Sequence, residues 1–162
     1  SSFMSNGTEP SISRGVSSAQ TPNVKLKVIV VGAPGCGKST FIHRIVRNEF
    51  VENIRSTLGV EFSEKRFQVS AAGNIQQIVA LHFWDIWGQE AVINATRAYY
   101  TASKGAFVVY DASKRETLDK AVLWKRDLDL KVRSQFNGLP IPVILIGNKH
   151  DLAVKTPSQL RG

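Results

Sequence analysis

Val28-Ile29-Val30-Val31-Gly32-Ala33-Pro34-Gly35-Cys36-Gly37-Lys38-Ser39 joins an apolar run to a glycine-rich loop. Its opening residues are continuously apolar and mostly β-branched, the pattern of a strand covered on both faces of a parallel sheet. From Gly32 to Ser39 the chain satisfies G-x-x-x-x-G-K-[ST] in full, and helical spacing over Lys38 to Arg47 follows at once. Glycines are needed in such a loop because the backbone must wrap closely enough around phosphate oxygens for its N–H groups, and those of the helix that follows, to point at them. Lys38 is then placed to reach the β- and γ-phosphates, and the Ser39 hydroxyl to ligate Mg²⁺. At average composition the pattern arises by chance about once in two hundred chains of this length, so the loop carries weight on its own. It does not separate ATP from GTP.

Phe107 to Tyr110 and Val143 to Ile146 are further continuously apolar runs that predict strands covered on both faces. Ile78 to Trp84 predicts another buried strand, and Gly59 to Val69 a more exposed one. A second helix is predicted over Glu116 to Phe136, its apolar face carried by Leu118, Ala121, Val122, Leu128 and Val132. Strands alternating with helices imply an α/β domain with a mostly parallel central sheet and helices on both faces. In such sheets ligands bind beyond the carboxyl ends of the strands, which directs attention to the loops found there.

Two of those loops carry further chemistry. Asp85-Ile86-Trp87-Gly88-Gln89-Glu90 follows the strand ending at Trp84. A bare D-x-x-G is expected by chance in roughly half of such chains, so its position is what counts. An Asp at a strand's carboxyl end can hold Mg²⁺ through water, Gly88 can bring a backbone N–H to a terminal phosphate, and Gln89 can orient an attacking water. Gly147-Asn148-Lys149-His150-Asp151 contains N-K-x-D just past Ile146. The Asp151 carboxylate can accept hydrogen bonds from both N1–H and the exocyclic amine of guanine, which adenine cannot supply.

These patterns, in this order and each after a strand, resemble the small GTPases of the Ras superfamily. The resemblance implies a P-loop NTPase G domain. It places Gly32, Ala33, Pro34, Gly35, Cys36, Gly37, Lys38, Ser39 and Thr40 around the phosphates, with Lys38, Gly88 and Gln89 catalytic. Ser39 and Thr57 would ligate Mg²⁺ directly and Asp85 through water, Phe50 would pack against the base, and Asn148, Lys149 and Asp151 would hold guanine. Within the superfamily, Thr57-Leu58-Gly59-Val60-Glu61-Phe62, Trp84-Asp85 and Tyr99-Tyr100 resemble the Rab form. Asp85-Ile86, Thr96-Arg97, Trp124-Lys125 and Asn137-Gly138 are similar to its branch that serves lysosome-related organelles, the thirty-two and thirty-eight type. The resemblance further implies GTP and GDP as ligands, slow hydrolysis, and an effector surface at Phe62, Trp84 and Tyr99. It implies GAP, exchange-factor and effector partners, and a role in vesicle or organelle traffic at the cytosolic face of membranes.

The pattern also departs from that family. Trp87 stands where a small residue usually precedes Gly88, and Pro34 removes one N–H from the phosphate loop. Trp87 motivates an alternative reading, a GTP-gated binding module that scarcely hydrolyses. A P-loop kinase would leave N-K-x-D unexplained. The sequence stops at Gly162, ahead of the Ser-Ala-Lys loop, last strand, last helix and lipidated tail that the resemblance would supply; a domain without them is expected to expose apolar surface.

Composition sets outer bounds. The 162 residues, 43% hydrophobic, suffice for one core. One cysteine, Cys36, permits no internal disulfide, and no apolar run is long enough to span a bilayer, so membrane attachment is expected only through a C-terminal lipid anchor. Lys plus Arg exceed Asp plus Glu by 21 to 13, but the cations are scattered, and neither nucleic-acid binding nor self-association is expected. Residues 1–23, poor in apolar groups, predict a flexible arm ahead of a G domain over 24–162.

Overall fold

The structure is a computed structural model that describes residues 12–13, 21–52, 59–71, 75–86, 97–134 and 137–154. Its strands are β1 (Ile12–Ser13), β2 (Val24–Gly32), β3 (Val60–Ala71), β4 (Ile75–Ile86), β5 (Gly105–Asp111) and β6 (Val143–Asn148). The helices are α1 (Lys38–Arg47), α2 (Arg97–Tyr100), α3 (Arg115–Lys131) and α4 (His150–Val154). One six-stranded sheet holds the strands in the order β1-β3-β4-β2-β5-β6. Strand β2 is parallel to β4 and β5, and β5 to β6, whereas β3 is antiparallel to β4 and β1 to β3. The mostly parallel centre with helices on both faces is as the sequence implies.

Strand β2 reads as a continuous apolar run because it lies between two parallel neighbours and beneath helices on both sides. Ile29, Val30 and Val31 are fully buried. Alternation sends Val30 toward Ile42, Phe83 and Val109 under α1, while Ile29 and Val31 meet Val108, Ala121, Trp124 and Leu128 under α3. The same reasoning fails for β6. Although Val143 to Ile146 is as apolar as β2, Ile144 and Leu145 are 57% and 54% exposed, because β6 is the edge of the described sheet and pairs only with β5 there.

The helix predicted over Glu116 to Phe136 begins one residue earlier and ends at Lys131. Val132 is already extended, at φ −120° and ψ 122°. Beyond it the chain turns back through Asn137-Gly138, with Gly138 at φ 69°, the Ser134 N–H donating to the Leu139 carbonyl at 2.7 Å, and a bridge from Arg133 to Pro140. Turn chemistry therefore overrides helical spacing. The buried face of α3 runs through Thr117, Ala121, Trp124 and Leu128, and Val122, assigned to it from the sequence, is half exposed.

Within the span expected to form a flexible arm, Ile12 and Ser13 pair with Val69 and Gln68 of β3. An unpaired outer edge of β3 offers backbone donors and acceptors to any extended segment that reaches it, whatever its side chains. Among the described residues no helix is long and apolar enough to cross a membrane.

Candidate functional site

The loop from Gly32 to Gly37 leaves β2 at the carboxyl end of the sheet and enters α1. Its shape depends on glycine at two points. Gly37, at φ 92°, is the residue before the helix, and a Cβ there would run into the Asn148 amide. Gly32, at φ 149°, crosses the Val109 carbonyl so closely that a Cβ would strike it. No side-chain hydrogen bond caps α1 at Gly37, and its first turn carries no acidic residue of its own. At the other end Asn48 adopts φ 58° and donates its N–H to the Arg44 carbonyl at 3.1 Å, a common helix stop.

Lys38 is 8% exposed, and its ammonium donates to the Gly32 carbonyl at 3.1 Å and the Ala33 carbonyl at 3.2 Å. The cation thus lies within the loop that would hold phosphate. Cys36 is fully buried, and burial pushes its thiol pKa up despite the nearby charges of Lys38 and Lys149. It packs with Val30, Ile42, Phe83 and Val109 as an apolar residue.

Ser39 donates its hydroxyl proton to Oδ2 of Asp85, which is 2% exposed at the end of β4. A small cavity beneath them is lined by Ile42, His43, Glu61 and Ser63 as well. The hydroxyl and carboxylate form an all-oxygen donor pair of the kind that suits a hard divalent cation, so these residues fit magnesium. Thr57, Trp87, Gly88 and Gln89 lie outside the described residues.

The N-K-x-D loop meets the phosphate loop directly. Asn148, the last residue of β6, donates its side-chain N–H to the Cys36 carbonyl at 3.0 Å and to the Gly37 carbonyl at 3.4 Å. Lys149, at φ 59°, donates from Nζ to the Gly35 carbonyl at 2.5 Å and pairs with Asp111 at 3.0 Å. Asp151 stands exposed in the first turn of α4, and Phe50, expected against the base, is 71% exposed.

Asp111 is the site residue the sequence reading missed. It is 2% exposed and accepts from Ser113 N–H at 3.0 Å, Ser113 Oγ at 2.6 Å and Lys149. Burial alone would push its pKa up, but the Ser113 hydrogen bonds and Lys149 outweigh that and hold it below the usual carboxylate range. The signal was present: Asp111 ends β5 just as Asp85 follows the apolar run of β4.

Away from these loops, Phe62 is 52% exposed and meets Trp84 edge to face at 6.0 Å between ring centroids. Trp84 and Tyr99 are half-buried and pack against the core beneath α3.

Comparison with known proteins bears on these features. Residues 27–159 match the model of the Ras family. Mouse (Mus musculus) Ras-related protein Rab-32 is 40% identical over 153 residues, 91% of this chain and 66% of the relative. Human (Homo sapiens) Rab-32 is 40% identical over 152 residues, covering 90% and 65%. Human Rab-7L1 is 37% identical over 127 residues, covering 78% and 60%. The chain therefore spans less than two thirds of the length of these relatives.

Proposed function

The chain belongs to the Ras family, and on that premise we propose that it is a guanine-nucleotide switch that binds GTP and GDP with magnesium, hydrolyses GTP slowly to GDP and phosphate, and regulates vesicle or organelle traffic. The observation that carries this reading is the union of two loops. Asn148 and Lys149 bond to the backbone of Cys36, Gly37 and Gly35, so whatever grips a base at one end is rigidly tied to whatever grips phosphates at the other. Such rigidity suits a ligand that carries both groups.

In this reading Lys38 moves from its loop carbonyls to the β- and γ-phosphate oxygens, joining the N–H groups at the start of α1. Ser39, Thr57 and, through water, Asp85 are the residues that would hold magnesium, whose chemistry is to neutralise charge on the phosphates. Gly88 offers its N–H to the γ-phosphate and Gln89 orients water for in-line attack. Asp151 selects guanine by accepting both of its edge donors, with Phe50 against the ring. Thr57 and Gly88 respond to the γ-phosphate, and their loops present the Phe62, Trp84 and Tyr99 surface to effectors. A slow intrinsic rate implies a GAP for turnover and an exchange factor for reloading.

The domain is proposed to span 24–162 as a monomer on the cytosolic face of membranes, preceded by the arm of residues 1–23. Similarity to Rab-32 favours traffic as the setting. Chromatography of the nucleotide released on denaturing the purified chain tests the core of this reading: GDP or GTP is expected, and an adenine nucleotide contradicts it.

A further inference from the structure

Strand β2, which leads into the phosphate loop, lies between β4 and β5, and each neighbour brings one buried carboxylate to its carboxyl end, Asp85 and Asp111, both 2% exposed. Asp85 takes the Ser39 hydroxyl and so falls within the proposed magnesium site. Asp111 takes the Lys149 ammonium instead, at 3.0 Å. A buried carboxylate is costly unless it is paired and hydrogen-bonded, and the pairing here reaches across to the N-K-x-D loop.

The two partners are held very differently. Ser113 donates its N–H at 3.0 Å and its hydroxyl at 2.6 Å to the Asp111 carboxylate, and the Asp111 N–H donates to the Thr117 hydroxyl oxygen, in the first turn of α3, at 2.9 Å. Asp111 is therefore fixed from two sides. The Lys149 side chain is 31% exposed, and its backbone lies at φ 59°, a conformation that a residue with a Cβ rarely adopts. Its ammonium spans the Asp111 carboxylate and the Gly35 carbonyl, while the Ala112 N–H donates to the adjoining Asn148 carbonyl at 2.8 Å. A strained backbone of this kind persists where its surroundings over-determine it, and these tethers supply that.

We propose that Asp111 is a positioning residue for nucleotide binding: by holding the Lys149 ammonium across Gly35, it keeps the guanine loop clamped to the phosphate loop and lengthens the residence of bound nucleotide. A lysine stem has many rotamers to choose from, and a neutral carbonyl alone holds an ammonium less firmly than a carboxylate and a carbonyl together. Without the Asp111 charge, Lys149 exchanges Gly35 for water, and the grips on base and phosphate loosen together. Asp111 acts through Lys149, so the choice of base, assigned to Asp151, stays as it is. The inference deepens the guanine-nucleotide reading above and rests on it.

The test is a double-mutant cycle on the full chain, read as the rate at which a fluorescent GDP is displaced. Asp111→Asn is expected to release it about tenfold faster than the parent, with the preference for GDP over xanthosine diphosphate unchanged. In a Lys149→Met background the same substitution should add less than about twofold, because the group through which it acts is gone. An unchanged rate on Asp111→Asn would overturn the proposal. So would an equal acceleration in both backgrounds, which marks a residue that supports the fold without acting through Lys149. Loss of the preference for GDP would place Asp111 in base recognition and overturn the positioning role. Should Asp111→Asn fail to fold, Ser113→Ala decides: it lies at an exposed position and keeps both charges while freeing the carboxylate. Faster release on Ser113→Ala that disappears in the Lys149→Met background supports the proposal, and an unchanged rate overturns it. A parent that binds no guanine nucleotide would instead overturn the switch reading, and this inference with it.

Discussion

The Asn148 side chain, at the end of β6, donates to the Cys36 carbonyl in the phosphate loop across 112 positions of sequence. In the proposed nucleotide site, Asn148 would then bear on the phosphate loop as well as on the base. Removing its amide should leave loop carbonyls unsatisfied at a cost of about 1–2 kcal/mol. Asn148→Ala is therefore expected to speed GDP release about tenfold or more, measured by displacement of a fluorescent GDP. An unchanged rate would mean that the two loops are not mechanically joined.

The glycines of the phosphate loop should not be equivalent. A Cβ at Gly32 meets the Val109 carbonyl and one at Gly37 meets the Asn148 amide, whereas at Gly35, φ 71°, it meets open space. Gly35→Ala should then cost only the left-handed backbone penalty, about 1–2 kcal/mol. Gly32→Ala and Gly37→Ala should cost more, since backbone or Asn148 must also shift. Urea unfolding gives the order, and equal losses at all three positions would refute the packing argument.

Asp111 links stability to pH. Its folded-state pKa is held below the ordinary carboxylate value by Ser113 and Lys149 against the effect of burial, so the unfolded chain binds more protons. The stabilisation is complete above the unfolded Asp value of about 3.9 and is lost as pH falls through the lower folded value. Unfolding free energies of the parent should fall in that acid range more steeply than those of Asp111→Asn. Parallel curves would show that Asp111 does not carry the effect.

How much of this was legible in the sequence depended on whether local pattern or tertiary position decides the outcome. The strand-to-helix loop and the bounds of α1 were legible to the residue, because Gly32 and Gly37 answer local backbone requirements. The run Val143 to Ile146 reads like Val28 to Val31, yet one lies at an edge and the other at the centre, a difference no local pattern encodes. Val122 and Trp124 both fit an apolar face of α3, and only packing on Ile29 and Val108 places Trp124 inside. Asp111 resembles an ordinary turn residue until Lys149 is brought to it from 38 positions away. Strand β1 depends on the exposed edge of β3 more than on its own residues.

The alternative of a GTP-gated binding module that scarcely hydrolyses rests on Trp87, which lies outside the described residues. If its indole seeks burial and holds Gln89 away from the γ-phosphate, single-turnover hydrolysis should fall below the order of 10⁻⁴ s⁻¹ known for unaided Ras. Trp87→Ala should then raise it, and Gln89→Leu should change the parent little. An ordinary rate in the parent, mostly lost on Gln89→Leu, would make Trp87 a packing or surface residue and remove the case for a binding module that scarcely hydrolyses.

Guanine recognition is proposed to rest on Asp151, exposed at the start of α4 and adjoining the Asn148–Lys149 link to the phosphate loop. Loss of a charge-assisted pair of hydrogen bonds there should cost about 3 kcal/mol or more. Competition among GDP, ADP and xanthosine diphosphate, for the parent and Asp151→Asn, measures it most directly. The parent should prefer GDP by a hundredfold or more, roughly the same energy, and Asp151→Asn should shift the preference toward the xanthine nucleotide. Equal affinity of the parent for GDP and ADP would rule out guanine recognition by Asp151.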